Sequence, residues 1–365
     1  MLNQTVDSLM PLLSILQQPA FCLHRDGTVL PNPAAAPIAP FELNQLPHWL
    51  GDCTALYENW TRQSQLTFSV TVASRSYSVT VEALADGELF LLSDDSDTSG
   101  ASNVMAASSQ VLRQPLTDLM ASTQMLMAAL EDQENPSFRL QSASIAKNLY
   151  RLTRLAGNLS DYDLLQRGEL KARPALLTLS TDLAPMLEEI ADLIAETGCR
   201  LDFRLPKEQV QIYADRKLLE RALLNLLGNA IKHGQTSQTI GLTVKVQPNF
   251  VLFQCTSCCT EAEQAMLSSA FRRTEQRGAL PDPRWGLGLG MLLIRHIAQL
   301  HGGTLALEAG AEGAVTATIS VSRKRPAGKP ALESPVRMDR TGGLDSRLIE
   351  LSDVLPARVF ELQLP

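Results

Sequence analysis

Two amides and an ammonium group recur at helical spacing in the stretch "NLLGNAIKHG". Asn225 and Asn229 are four residues apart, so they share one face of a helix, and Lys232 follows three residues later beside them. Amide oxygens and an ammonium group on one face can hold a divalent cation and phosphate oxygens. A polar helix face in contact with solvent gives the same pattern. The stretch alone therefore leaves both interpretations open.

A second stretch, "WGLGLG", places Gly286, Gly288 and Gly290 at alternate positions just before an apolar helix. Glycines at a helix start let backbone N–H groups approach a phosphate, and the helix dipole favours the negative charge. A glycine triplet by itself is weak evidence for a phosphate site. The two stretches together, in this order, indicate a nucleotide-binding domain much more strongly.

With these motifs the chain resembles the sensor histidine kinases. The resemblance implies that residues 172–322 form the catalytic domain, a Bergerat-type α/β sandwich of the fold shared with gyrase and heat-shock ATPases. It implies that Asn229 binds magnesium and that Asn225 and Lys232 support the metal and the phosphates. The three glycines are expected to contact the phosphates, with ATP and magnesium as the cofactors.

The phospho-accepting motif of that family reads His-Glu-Leu-Arg-Thr-Pro-Leu, and its counterpart here is Gln-Val-Leu-Arg-Gln-Pro-Leu at residues 110–116. Gln110 replaces the reactive histidine, and Val111 replaces the acidic residue that assists as a base. An amide is not a nucleophile near neutral pH, and valine cannot take up a proton. None of the five histidines lies within residues 104–168. The motif therefore predicts a protein that does not phosphorylate itself on histidine.

The family's adenine-recognition box, Asp-x-Gly-x-Gly, is also missing. Its place after a predicted strand reads "QCTSCCTEAEQAM". No aspartate occurs between Asp215 and Asp282, and no glycine occurs between Gly241 and Gly278. The carboxylate that recognises the adenine amino group and the turn that carries it are thus both absent from the sequence.

Hydrophobic periodicity indicates the elements that position these motifs. Within residues 1–96, segments with strand signals flank two Asp-Gly turns, and the middle around Trp49 and Trp60 looks helical. This pattern predicts a small sheet with helices packed on one side, which resembles a PAS-type sensor. Residues 97–103 are polar and are expected to be a linker. Residues 104–168 carry apolar residues at three- and four-residue steps, which predicts a helical hairpin. Because one hairpin buries too little apolar surface, two copies should form a dimeric four-helix bundle.

The predicted fold class is α+β and multidomain, with residues 323–365 as a C-terminal tail. The start of the tail is polar and proline-containing, as is typical of flexible chain. Its end carries leucines at helical steps and could dock on this chain or on a partner; these are Leu344, Leu348, Leu351 and Leu355.

Composition excludes several functional classes. The net charge of -7 gives no basic surface for nucleic acid. No apolar run is long enough to span a membrane, and the N-terminus lacks the features of a signal peptide, so we expect a cytoplasmic protein. Of six cysteines only Cys255, Cys258 and Cys259 cluster. Without a second ligand pair, this cluster favours buried residues at a strand end over a zinc site.

The sequence therefore predicts a degenerate histidine-kinase-like signalling protein. We expect a homodimer that interacts with a response regulator or another kinase and binds ATP with magnesium weakly or not at all. The alternative is an active ATP-dependent kinase, of the histidine type or similar to anti-sigma-factor kinases, that uses the remaining motifs. A phosphotransfer dimer fits less well, because it needs an acceptor histidine.

Overall fold

The computed structural model shows the α+β, multidomain architecture that the sequence predicts. It describes residues 18–40, 42–72, 75–94, 136–166, 168–265, 289–325 and 344–360, with the single residues 6, 9, 13, 16, 119, 122 and 267. Within these described residues, no helix combines the length and the apolar character needed to cross a lipid bilayer.

The N-terminal unit is a five-stranded antiparallel sheet against which two short helices pack. Its strands are β1 (Ala20–His24), β2 (Val29–Pro31), β3 (Gln65–Val72), β4 (Arg75–Ala83) and β5 (Gly87–Asp94), in the spatial order β2-β1-β5-β4-β3. Helices α1 (Leu46–Leu50) and α2 (Thr54–Asn59) lie between β2 and β3 in the chain. Gly27 has a positive φ of 90° and closes the β1–β2 hairpin, where the first Asp-Gly pair predicts a turn. The assignment to the PAS class stays a prediction.

The period-two pattern of this unit correctly predicts its buried face. Alternate side chains of β3 and β4 point into one apolar cluster, where two tryptophans from α1 and the end of α2 cover them. The members of this cluster on the strands are Leu66, Phe68, Val70, Tyr77, Val79 and Val81, and the tryptophans are Trp49 and Trp60.

The predicted helical hairpin, residues 104–168, is represented by α3 (Pro136–Gln166), which is 31 residues long. Of the predicted first arm of the hairpin, the structure describes Leu119 and Ser122, and both are helical. Ser122 Oγ lies 3.3 Å from Ser144 Oγ of α3, so the two arms touch at this point.

Helix α3 buries polar as well as apolar side chains and leaves two of its leucines accessible. Polar side chains, Asn148, Asn158 and Asp161, are almost completely buried against the rest of the chain. Leucines remain accessible on the helix, with Leu140 58% and Leu149 40% exposed. The predicted apolar seam of α3 is therefore only partly covered within one chain.

The C-terminal unit is an α/β sandwich. Its strands are β6 (Ala175–Thr178), β7 (Arg200–Arg204), β8 (Gln211–Ala214), β9 (Thr239–Val246), β10 (Phe250–Cys258), β11 (Leu305–Ala309) and β12 (Ala314–Ser322). Five of them run in the order β11-β12-β10-β9-β7, with β7 parallel to β9, and β6 pairs separately with β8. Helices α4 (Ala184–Ala195), α5 (Arg216–His233) and α6 (Leu289–Leu300) contribute to one apolar core with this sheet.

An edge-to-edge contact joins the two sheets. Strand β3 of the N-terminal unit pairs antiparallel with β11, so that ten strands form one continuous sheet. Ser64 Oγ donates to Glu308 Oε1 at 2.6 Å beside this junction. Leu252 and Ala306 of the C-terminal unit pack into the apolar cluster of the N-terminal unit.

The end of the tail docks on its own chain, which the sequence left open. Helix α7 (Ser346–Leu351) and the turns after it lie against α3 and α5. Leu348, Leu351, Leu355 and Phe360 are buried in the main core, and the ring of Phe360 lies 5.1 Å from that of Tyr150 on α3. Of the two docking partners that the sequence left open for the end of the tail, the structure shows this chain itself.

Candidate functional site

Helix α5 carries the three polar residues of the first motif. Asp215 caps its start, because one carboxylate oxygen accepts from Leu218 N at 3.2 Å. The Asp215 backbone N–H in turn donates to His301 Nε2 at 2.9 Å, while His301 Nδ1 lies 2.6 Å from the carbonyl oxygen of Ile297. Burial lowers the pKa of His301, so the neutral imidazole joins the end of α6 to the start of α5.

Asn225 is completely buried, and its amide is fully engaged. Its Nδ2 donates to Glu350 Oε2 at 2.8 Å and to the Arg221 carbonyl oxygen at 3.0 Å. Its Oδ1 accepts from Arg154 Nη2 at 3.2 Å. Of the two interpretations that the sequence left open, the solvated helix face does not hold at this position: Asn225 is a buried hydrogen-bonding centre between α3, α5 and the tail.

The two sequence motifs meet in space. A Cβ atom on Gly290 would lie 3.2 Å from Asn225 Oδ1, so the start of α6 approaches α5 closely. Asn229 Nδ2 lies 3.5 Å from the Met291 sulfur of the same turn. Gly286 and Gly288 lie outside the described residues. The structure therefore brings together Asn225, Asn229 and the last glycine of the triplet.

Lys232 lies one turn beyond Asn229, with 28% of its side chain exposed, and its ammonium nitrogen is 3.8 Å from Asp353 Oδ2. Burial lowers the pKa of Lys232, and Asp353 opposes this shift while Arg154 and Arg151 add to it. Burial also disfavours the charge on Asp353, but the cations of Arg154, Lys232 and Arg151 outweigh it and lower its pKa. The carboxylate is therefore the charged form.

Six charged residues of this region carry no signal in the nucleotide motifs and were missed from the sequence. Arg154 Nη1 binds Asp353 Oδ2 at 2.6 Å, and Arg151 Nε binds Asp353 Oδ1 at 3.1 Å. Arg221 Nε binds Glu350 Oε1 at 2.7 Å, and the same guanidinium pairs with Asp161 of α3. Glu350 and Asp353 are three residues apart within the leucine-periodic end of the tail, and this spacing is the signal that could have revealed them.

The residues at the end of β10 occupy the place of the family's adenine-recognition box, and we call this region the adenine end. Thr256 near the end of β10 faces Thr316 of β12, with their hydroxyl oxygens 3.1 Å apart. Burial raises the pKa of Cys255 to about 12, so its thiol is neutral and unreactive. The carboxylate of Glu263 accepts from Thr260 N at 3.0 Å and from Thr260 Oγ1 at 2.8 Å, which caps the next helical turn. The described residues here supply hydroxyl and thiol groups in place of the family's aspartate.

The cysteine cluster lies at the end of β10. Cys255 and Cys259 are buried, as expected for small apolar side chains, whereas Cys258 is exposed. Across the described part of the chain, no three His, Cys, Asp or Glu side chains are arranged to hold a metal ion.

Whether these residues fit a magnesium ion depends on the phosphate groups that would share it. Mg²⁺ usually combines one or two protein oxygens with phosphate oxygens and water, and Asn229 Oδ1 provides one such oxygen. Gly290 approaches Asn225 so closely that a Cβ atom there would lie 3.2 Å from Asn225 Oδ1 and crowd this amide. These features fit the phosphate end of a magnesium nucleotide, whereas the residues after β10 do not fit the adenine end. Gln110 and Val111 lie outside the described residues.

Comparison with known proteins places these motifs in a family context. Residues 214–325 match the family described as histidine kinase-, DNA gyrase B-, and HSP90-like ATPase. The sensor protein KdpD of Escherichia coli strain K12 is 27% identical over 242 residues, which are 66% of this chain and 26% of KdpD.

A second relative is the signal transduction histidine-protein kinase/phosphatase MprB of Mycobacterium sp. strain KMS. It is 26% identical over 208 residues, which are 54% of this chain and 38% of MprB. The chain thus spans only about a quarter to two-fifths of the length of these relatives. Among solved structures, the Acinetobacter baumannii histidine kinase AdeS aligns with a TM-score of 0.43 at 17% identity, covering 59% of this chain and 98% of AdeS. A likeness of that size carries no argument about function.

Proposed function

Because the chain is a relative of the sensor histidine kinases and carries their ATP-binding domain, we propose that it is a degenerate signalling protein of this class. It acts by dimerisation and protein interaction, without phosphorylating itself on histidine. The observation that carries the proposal is Gln110 at the position of the reactive histidine, with Val111 at the position of the assisting acid.

The positions of the five histidines support this proposal. His24 ends β1 and His48 lies in α1, whereas His233, His296 and His301 lie in or beside helices of the C-terminal unit. The described part of the hairpin, α3, carries none of them. His233 is 8% exposed and burial lowers its pKa to about 4, which suits a structural imidazole better than a phosphate acceptor.

The exposed leucines of α3 support a homodimer. Leu140 and Leu149 keep 58% and 40% of their surface in contact with solvent within one chain. Burying a leucine side chain gains about 1.5–3 kcal/mol, so a second copy of the hairpin that covers these residues is favourable. The bundle formed in this way presents helix surfaces to a response regulator or to another kinase, the two partner types that the family relationship suggests.

Nucleotide binding in this proposal is weak. The ATPase domain supports ATP binding, and Asn229 and Lys232 remain at the phosphate end. The missing aspartate removes a hydrogen bond to a charged group, which is worth about 1.5–3 kcal/mol. That loss weakens affinity by roughly ten- to a hundred-fold.

An active ATP-dependent kinase is the second candidate. The observation in its favour is the meeting of Asn225, Asn229 and Gly290, since these residues are spread over a long stretch of sequence. In that case phosphate is transferred to a serine, a threonine or the histidine of a partner.

The deciding experiment incubates the full chain with radiolabelled ATP and magnesium. We expect no acid-labile, base-stable label on the wild-type protein, because it has no acceptor histidine in the hairpin. The matched variant Gln110→His/Val111→Glu restores the acceptor pair. Label on this variant alone supports the proposal and shows that the ATP site functions, whereas stoichiometric label of this type on the wild type overturns it.

Dimerisation is tested separately by light scattering. The wild type is expected to be a dimer at micromolar concentration, and Leu140→Asp/Leu149→Asp a monomer, because charges in an apolar seam cost several kcal/mol. Leu176→Asp is the control, since Leu176 on β6 is 54% exposed and lies outside the hairpin. A monomeric wild type, or a control that dissociates equally, contradicts the dimer.

A further inference from the structure

A cationic groove lies between α3 and α5. Arg151 and Arg154 line it from α3, and Arg221 and Lys232 line it from α5, together with the amide of Asn225. The groove includes two of the three polar residues predicted to serve the phosphate end of the nucleotide. In this structure it is filled by residues 344–360 of the same chain.

The tail segment matches the groove in charge and in shape. Glu350 and Asp353 are three residues apart and both direct their carboxylates into the groove, where each contacts at least two cationic side chains. Glu350 is only 6% exposed. Leu351 packs against α5, where its Cδ2 would lie 3.7 Å from a Cβ on Gly228, and Phe360 packs on Tyr150. The segment is thus seated by carboxylates on one side and by apolar side chains on the other.

The tail and a bound triphosphate need the same donors. Glu350 takes the Nδ2 hydrogen bond of Asn225 at 2.8 Å, and Asp353 lies 3.8 Å from the ammonium of Lys232. Phosphate oxygens carry the same charge as these carboxylates, so both cannot occupy the groove without repulsion in a poorly solvated site. Occupancy by one anion therefore excludes the other.

We propose that the groove between α3 and α5 is a binding site for an acidic helical segment, that residues 344–360 are its intramolecular ligand, and that this segment competes with the phosphates of magnesium nucleotides. The competition rests on the proposed function only in assigning Asn225 and Lys232 to the phosphate end. Release of the tail opens this end of the site and also uncovers the polar face of α3. The tail thereby couples nucleotide access to the helical region that forms the dimer.

The test measures magnesium-ATP binding to the full chain by calorimetry. The variant Glu350→Gln/Asp353→Asn keeps the shape of both side chains but removes their charges. We expect it to bind magnesium-ATP at least about ten-fold more tightly than the wild type. Circular dichroism confirms that the variant is folded.

The matched control is Glu189→Gln/Glu196→Gln. These two residues pair with Arg347 and Arg358 on the opposite side of the same tail, with Glu196 Oε2 3.0 Å from Arg358 Nε. The control changes net charge by the same amount and contacts the same segment, but leaves the groove unaltered. We expect its affinity to stay within about two-fold of that of the wild type, because such exposed pairs contribute little.

A second measurement uses the wild type alone. Saturating magnesium-ATP should increase hydrogen exchange of the backbone amides in α7, because the nucleotide displaces the tail. Equal affinity in the wild type and the groove variant, or an equal gain in the control, overturns the competition. Absence of magnesium-ATP binding to both proteins also overturns it, but leaves the proposed function intact, since that function needs no nucleotide. Histidine labelling of the wild type overturns the proposed function without affecting this result.

Discussion

The regions proposed as the phosphate end and the adenine end of a nucleotide site differ from the family pattern in different ways. At the phosphate end the residue types are kept, but Asn225 and Lys232 face carboxylates of the chain's own tail. At the adenine end the residues themselves differ, and Cys255 and Thr256 stand near the position of the missing aspartate. The phosphate end can open to a nucleotide when the tail leaves it. The adenine end cannot recognise adenine in the family's way unless its residues are changed.

The electrostatic environment of the two ends differs as well. The phosphate end is a dense network, in which Arg154 and Arg221 each contact residues from two other parts of the chain. The described residues of the adenine end include a cross-strand hydroxyl pair at Thr256 and a carboxylate, Glu263, that is already used as a helix cap. A mutation at the phosphate end should therefore lower the free energy of unfolding much more than a mutation at the adenine end.

The largest expected effect follows removal of Arg221. The change Arg221→Ala removes this cation from Asp161 and Glu350, whose side chains are 8% and 7% exposed. Loss of one partner from such a buried network costs about 3–5 kcal/mol. Urea unfolding measures it, with Arg204→Ala as the control, because its pair with Asp202 is 75% and 52% exposed. A cost below about 1 kcal/mol for Arg221→Ala would mean that the network is not a structural unit.

A smaller effect is expected for the pH dependence of stability that His233 causes. His233 ends α5, and burial lowers its pKa to about 4, with Lys232 adding to the shift and Glu263 opposing it. Because the folded-state pKa lies below the unfolded value of about 6.5, stability is complete above pH 6.5 and falls as the pH drops towards 4. Between about pH 7.5 and about pH 4.5 the loss due to His233 is between about 2 and 3 kcal/mol.

The measurement compares urea unfolding of the wild type and His233→Gln at the two pH values. Burial also lowers the pKa of His296 and His301, so only the difference between the two proteins reports on His233. We expect this difference to change by about 2–3 kcal/mol in favour of the variant at low pH. An equal loss in both proteins would assign the pH dependence to the other groups.

The smallest expected effect is the difference in affinity between ATP and GTP. In the variant Glu350→Gln/Asp353→Asn, which opens the phosphate end, ATP and GTP with magnesium should bind within about three-fold of each other, because no carboxylate reads the adenine amino group. Calorimetry with both nucleotides measures this ratio. Asn229→Asp in the same background is the control for binding at the predicted site and should abolish both signals. A strong preference for ATP would show that the adenine end has a replacement for the aspartate.

Much of the fold could be predicted because it depends on local patterns. The alternating residues of β3 and β4 and the apolar periodicity of α3 and α5 each reflect the geometry of a single element. The faces of α3 could not be predicted correctly in this way. Its apolar face is partly exposed in one chain, while Asn158 and Asp161 are buried, because Arg221 of α5 contacts both of their polar side chains.

The sequence by itself determined the identity of the reactive groups. It contains Asn225, Asn229 and Lys232 at helical spacing, and it lacks a histidine at position 110 and an aspartate after β10. These are chemical facts that no folding can alter, since a side chain that is absent cannot be supplied by packing.

Only the tertiary structure decided which of these groups have partners. Arg154 and Asp353 are 199 residues apart in sequence, and Asn225 and Glu350 are 125 apart, yet both pairs lie within hydrogen-bond distance. Local periodicity carries no information about contacts over such separations. They arise because burial of Leu351 and Phe360 places the tail where two carboxylates meet four cations, and a buried charge is stable only where it is paired.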